Sequence, residues 1–471
     1  MLNAGVARVV INPPLTVPHA GWGAQAHVFP DGIESDLWAT VLYVADGTIC
    51  GLLVDLDFSH FSIEQANAMR SRLERELGFD PSVIRISTTH THAGPLIHFN
   101  YYRELEPVID DYLAFVQDSV VEAARQARER AVPVRIAAEY GHCAAGYNRR
   151  QRLADGKVVT GYSPDGDTDP VLGAVRIVDE AGKPLAQLVH YACHPTTLGP
   201  DNRLVSPDYP GVTKRTVEQL VGGYCLFLQG AAGDIGPGPE GFLADYEAVS
   251  RIGRTIACEA AKTLMTLEAG QRDFHYERVV ESGASLAIWR GEPRMAQTGK
   301  LRFFTRTVML PIKRLMAAAE GRQMFEGYQQ KLYEQLRSGA SEERIKEATF
   351  MVKRSYKVWE QAERYAGQTA IPVETQFMTY GDIAFVSAPL EPFSSTGRWI
   401  REQSPFRFTF LSGCSNGLIS YLPPQGEYAF GGYEVDTSIF TEGAAEQFAE
   451  SVVNVLREVA AERSEADAAA P

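Results

Sequence analysis

Over the first 270 residues, short apolar runs rich in β-branched side chains alternate with long amphipathic patterns. Strands interleaved with helices build layered α/β structures. Residues 37–45 and 49–58 are β-rich and meet across Asp46-Gly47, a hairpin signal. A helix is expected to start at Ser62, which forms an S-x-x-Q capping box with Gln65, and to end at Gly78. Residues 83–87 read as a short buried strand and 108–130 as a long amphipathic helix. Strands are expected at 132–139, 172–178, 185–191 and 224–228, the last flanked by helices at 212–221 and 243–265. Two hairpin connections make the sheet mixed. The expected fold is therefore α/β, a mixed β-sheet core flanked by helices.

Between about residues 305 and 366 strand signals fade and Lys, Glu, Gln, Met and Ala dominate. Two helical blocks separated by Ser338-Gly339-Ala340-Ser341 predict a helical hairpin inserted into the α/β body. Its aromatics Phe325, Tyr328 and Tyr333 read as packing residues. The β pattern returns at 375–387, a last helix is expected at 441–462, and residues 463–471 as a disordered tail. Residues 1–462 thus form one domain. The formal net charge of −14 argues against a nucleic-acid partner, which needs clustered positive charge. No run of about 18 apolar residues is present, so no stable membrane insertion is expected. The first residues, Met1-Leu2-Asn3-Ala4-Gly5, lack the pattern of a secretory signal, and the six cysteines are scattered without a C-x-x-C pair. Both point to a cytoplasmic protein with reduced, buried thiols.

The sharpest local feature is Thr89-His90-Thr91-His92-Ala93-Gly94-Pro95, directly after a predicted strand. Residues two apart in extended chain share a face, so His90 and His92 are expected to project together from the strand end. Two polar histidines at a surface turn would give the same pattern. About 100 residues on, a second strand closes in His190-Tyr191-Ala192-Cys193-His194-Pro195. His194, at the strand end, is the better ligand, and His190 is expected to pack inside the sheet. Zinc accepts imidazole nitrogen and carboxylate oxygen, and catalytic sites leave one position open; two histidines therefore lack an acidic partner. Asp55, Asp57 and His60 close another strand, either as groups supporting the same pocket or as a solvated strand end. His19 and His27 are placed near the pocket entrance. The loop 230–239 is Gly-rich but lacks the Lys-Ser/Thr of a phosphate-binding loop.

Taken in order, the opening Ala4-Gly5-Val6-Ala7-Arg8-Val9-Val10-Ile11-Asn12-Pro13-Pro14, the Thr89–Pro95 segment, Ala192-Cys193-His194-Pro195-Thr196, Gln229-Gly230-Ala231-Ala232-Gly233-Asp234-Ile235 and the Tyr421…Tyr433 segment resemble the neutral/alkaline (non-lysosomal) ceramidase family. The likeness runs from about residue 4 to 455. It implies a zinc held by His90, His194, a glutamate in the turn Pro389-Leu390-Glu391, and Tyr421. It also implies an active-site hydroxyl at Tyr433, with His92 and the Arg149 of Asn148-Arg149-Arg150 completing the pocket. The family's G-D-V-S-P segment reads Gly233-Asp234-Ile235-Gly236-Pro237, with glycine at the serine position. Asp234 in that turn either satisfies backbone N–H groups or orders a ligand histidine.

These residues support hydrolysis without a serine nucleophile. One Zn2+ per chain can lower the pKa of a bound water toward ~7 and polarise a carbonyl. His92 is then the proton carrier, Tyr433 an oxyanion donor, and Arg149 a group that orients a substrate carboxylate. Surface exposure for Arg149 and plain packing for Tyr433 are the alternatives. The expected reaction is cleavage of an amide bond in a small soluble N-acyl compound. An ester or lactone is the close variant; a metal-dependent lyase or isomerase, or a non-catalytic zinc-binding protein, is the reading from another class.

Overall fold

The predicted strands assemble into one eight-stranded sheet in the order Tyr224–Gln229, Pro184–Tyr191, Val171–Asp179, Val132–His142, Asn3–Val10, Trp38–Ala45, Cys50–Leu56, Ile84–Thr88. The structure is a computed structural model that describes all residues except 26, 98–104, 271, 294–298 and 469–471. The outermost pair at each edge is parallel and the inner pairs are antiparallel, so the sheet is mixed as expected. The two edges touch, with Tyr224–Gln229 against Ile84–Thr88, which means that the sheet curls back on itself. The helix Ile63–Leu77 carries the Ser62/Gln65 capping box and ends at Gly78, whose φ of 74° suits glycine.

A second sheet was not legible in the sequence. Arg302–Pro311, Ala370–Tyr380, Ile383–Ser387 and Phe408–Ser412 form four strands, and their Phe303, Met378, Phe385 and Phe410 pack onto Leu42, Leu53, Val175 and Leu188 of the first sheet. Close approach of the sheets needs glycine at two positions. A Cβ on Gly51 would lie 2.5 Å from the Phe303 ring, and one on Gly173 2.4 Å from that of Phe410. The outer face of the large sheet is covered by helices Ile63–Leu77 and Glu106–Glu129 on one half, and by Asp208–Val221 and Tyr246–Gly270 on the other. Ser394–Gln403 and Ala444–Ala468 cover the small sheet. The result is four layers, helix–sheet–sheet–helix, with apolar side chains alternating between the two faces of each strand.

Several expectations are corrected. The stretch from 305 is not free of strand: Arg302–Pro311 pairs along its whole length with Ala370–Tyr380 and buries Phe303, Val308 and Leu310. The helical hairpin, Ala318–Arg337 and Glu342–Tyr365, is therefore the connection between two neighbouring strands. Within it Phe325 stacks on Trp359, a packing role as expected. The β pattern at 375–387 divides at Gly381, where φ is 58°. The last helix runs on through an Ala- and Glu-rich stretch to Ala468, where a disordered tail was expected; residues 469–471 lie outside the described residues. All six cysteines are free, and Cys258 is exposed. No helix among the described residues is long and apolar enough to cross a membrane.

Candidate metal centre

His90 leaves the strand Ile84–Thr88 and His194 leaves Pro184–Tyr191, strands near opposite edges of the large sheet. Curling of that sheet brings the two rings together, Nε2 to Nε2 at 3.2 Å. Glu391 sits in the short strand Leu390–Pro392 after the small-sheet strand Ile383–Ser387, and its Oε2 lies 3.0 Å from His194 Nε2 and 3.4 Å from His90 Nε2. All three side chains are buried.

The hydrogen bonds around these groups decide their chemistry. His90 Nδ1–H donates to the Ser59 carbonyl at 2.7 Å, and His194 Nδ1–H to the Ala232 carbonyl at 2.6 Å. A carbonyl only accepts, so each neutral ring turns its Nε2 lone pair inward. Two imidazole lone pairs and one carboxylate oxygen thus meet within 3.4 Å. Ligands at about 2.1 Å from a tetrahedral zinc stand about 3.4 Å apart, so the donor set fits that ion. Burial, reinforced by the Arg149 charge, holds the His194 imidazole down to about 4. Burial also pulls His90 down, but Cys414 and Glu391 overcome it and hold that ring well above its ordinary value. A proton on His90 relieves part of the crowding; a divalent cation relieves all of it.

Local backbone geometry differs from the expected extended H-x-H. The strand stops at Thr88, and His90 has φ 69°, the left-handed region that a non-glycine residue occupies only where its surroundings hold it. His92 still reaches the site: its ring centroid is 5.0 Å from that of His90, and the ligand atoms of His90, His92 and His194 lie within 4.8 Å of one another. Burial, with the charges of His90 and His194 adding to it, holds the His92 imidazole well below its ordinary value, and its Nε2 has no hydrogen-bond partner among the described residues.

Glu391 and Tyr421 are register partners in a two-stranded parallel ladder, so a local pairing brings these two predicted residues side by side. The Tyr421 ring stacks on His194 with centroids 6.3 Å apart, and its hydroxyl accepts from Arg149 Nη2 at 3.2 Å. Tyr433 is half exposed, with its ring 5.7 Å from that of Tyr421. His90, His92, Glu391, Tyr421 and Tyr433 line one open cavity. Arg149 does not reach it as a free cation: its guanidinium is buried, and its Nε lies 3.0 Å from Glu434, which also binds Arg150 at 2.8 Å. The contact of Arg149 with the Tyr421 hydroxyl holds that side chain in place.

The family model for neutral/alkaline non-lysosomal ceramidase (N-terminal) matches residues 10–283. The chain belongs to this family. Neutral ceramidase of Pseudomonas aeruginosa is 25% identical over 219 residues, 44% of this chain and 32% of that protein. Neutral ceramidase A of Dictyostelium discoideum is 25% identical over 198 residues, 38% of this chain and 28% of that protein. The matched stretches thus span about a third of these relatives. The crystal structure of the Pseudomonas neutral ceramidase superposes with a TM-score of 0.68 at 18% identity, covering 96% of this chain and 73% of that one, and so shares its fold.

Among the other sequence candidates, His190 packs inside as expected, donating from Nε2 to the Leu411 carbonyl at 2.7 Å. His60 lines the cavity. His19 does not stand at the entrance: it is buried, with Nδ1 2.9 Å from His27 and Nε2 3.1 Å from the Ala93 carbonyl. Asp55 and Asp57 are neither solvated nor at the metal centre; both are buried on Lys214. Asp234 satisfies Ser394, accepting from its N–H at 2.6 Å and its hydroxyl at 2.8 Å. It thereby ties the loop that orients His194 to the segment carrying Glu391. Asp234→Ala is expected to weaken zinc binding about tenfold or more, as losing an outer support does. Chelator competition measures this, and an unchanged affinity would refute the tie. Sequence reasoning missed Ser59, Cys414 and Glu434, which act through carbonyl, thiol and ion-pair contacts made across the fold.

Proposed function

We propose that this chain is a zinc-dependent hydrolase that cleaves the amide bond of a small soluble N-acyl compound. The observation that carries the reading is the convergence of the His90, His194 and Glu391 lone pairs, with His90 and Glu391 lining an open cavity. Zinc held there would supply Lewis acidity at neutral pH, polarising a carbonyl and making water nucleophilic. His92, neutral and with Nε2 unpartnered beside that cluster, is suited to take a proton and hand it to a leaving amine. The Tyr433 hydroxyl at the cavity is suited to stabilise a developing oxyanion. Tyr421, held by Arg149, keeps the neighbouring wall in place. Gly236 leaves room for a side chain, since an added Cβ would stand 3.5 Å from Arg149 Cβ, and no hydroxyl is needed there. The relatives' printed names support amide chemistry on an acylated amine.

Metal analysis of protein never exposed to chelator is expected to return one zinc per chain, and a value near zero would sink the site. Chelation should abolish hydrolysis across a panel of N-acyl amides, esters and lactones, and zinc should restore it. Persistent activity in zinc-free protein would overturn the proposal, and turnover of esters or lactones alone would replace the amide reading.

A further inference from the structure

Part of the cavity wall comes from the second helix of the hairpin, Glu342–Tyr365. Lys357, Glu360, Gln361 and Arg364 line the cavity at i, i+3, i+4 and i+7, which is one continuous helical face. The opposite face packs inside the hairpin, with Tyr356 and Trp359 against Phe325. Contacts that tie this helix to the body include Lys353 Nζ donating to the Trp22 carbonyl at 3.1 Å and Arg364 pairing with Glu64 at 2.8 Å. The body contributes the apolar side chains Pro95, Leu96, Leu418 and Ile419 to the same lining. The cavity therefore combines apolar and charged side chains with His90, His92 and Glu391 in one lining.

The charges on the helical face are not equally committed. Arg364 is taken by Glu64, and Arg149, the cation expected from sequence to read a carboxylate, is taken by Glu434 and Tyr421. Glu360 feels Arg364 and Lys357 but bonds to neither, and burial pushes its carboxyl up. Lys357 makes no ion pair or hydrogen bond among the described residues.

Resting on the hydrolase reading above, we propose that Lys357 is a specificity-determining residue that binds a carboxylate on the amine side of the substrate, so that N-acyl amino acids are preferred over neutral N-acyl amines. The acyl chain lies along Leu96, Leu418 and Ile419, and the ammonium on the helical wall meets the substrate's anion.

The test compares kcat and KM for N-lauroylglycine and for uncharged N-lauroylethanolamine. In the wild type the carboxylate should be favoured. Lys357→Ala should lower the ratio of kcat/KM between the two about tenfold, a loss typical of one charge-assisted hydrogen bond, with the change in KM rather than kcat. Lys357→Glu should reverse the preference and Lys357→Arg should keep it, with zinc content matching the wild type in every variant. An equal change on both substrates would overturn the inference while leaving the hydrolase reading intact. If the wild type cleaves neither, that reading fails, and calorimetric binding of N-lauroylglycine decides: binding weakened about tenfold by Lys357→Glu and kept by Lys357→Arg supports the role of Lys357. Equal binding by all three refutes it.

Discussion

If the proposed zinc hydrolase reading holds, Glu391→Gln will lose most of the bound zinc on dialysis and lower amide hydrolysis by more than about a hundredfold. Substitutions that only orient a ligand already cost roughly ten- to a hundredfold in affinity or activity, and this one removes the single negative charge among the three converging groups. Glu391 Oε2 lies 3.0 Å and 3.4 Å from His194 and His90 and has no other hydrogen-bond partner among the described residues. Glutamine keeps the shape of the side chain, so folding should survive, and a thermal unfolding curve separates loss of metal from loss of structure. Zinc content by metal analysis and rates on an N-acyl amide are the two readouts. Near-normal rates with a full complement of zinc would mean that the carboxylate ligand lies elsewhere.

Lys214→Met will destabilise the fold by about 3–5 kcal/mol, the cost of removing one partner from a buried ion pair. Lys214 Nζ lies 2.6 Å from Asp57 and 3.3 Å from Asp55, and all three side chains are buried. Burial pulls the ammonium down, but the two carboxylates overcome it and hold it above its ordinary range. Asp55 also accepts from the Phe227 N–H at 3.2 Å, and Asp57 from the Trp38 N–H at 3.0 Å. Phe227 belongs to one edge strand of the curled sheet and Asp55 to the strand beside the other edge. Lys214 is therefore part of the lock that closes the sheet, and with it the approach of His90 to His194. Urea unfolding measures the effect. Combining Lys214→Met with Asp57→Asn should recover part of the loss, because one stranded charge is removed. A change below about 1 kcal/mol in the single variant would show that the triad is not the lock.

How much of this was legible in the chain depended on the range of the interactions. The capping box at Ser62, the hairpin at Asp46-Gly47 and the strand before His90 were readable because hydrogen bonds and periodicity within a few residues decide them. The strand Arg302–Pro311 escaped notice because its alternation is short and only pairing with Ala370–Tyr380 makes it a strand. Asp55 and Asp57 were misplaced for a related reason: a polar residue at a strand end looks solvent-facing until its distant partner is known, and His19, outside any strand, is likewise buried by contacts with His27 and Ala93.

By itself the sequence determined the candidate metal-ligating residue types, His90 and His194 after strands and Glu391 through the family resemblance, and an α/β class built from alternating periodicities. Only the tertiary structure decided that strands near opposite edges of one sheet would meet, because curling follows from sheet twist and from contacts such as Lys214 with Asp55 and Asp57. It also decided which cations remain available. Arg149 is neutralised by Glu434, 285 positions further along the chain, while Lys357 on the inserted helix is left facing the cavity. Electrostatic pairing depends on separation in space, which local sequence does not specify.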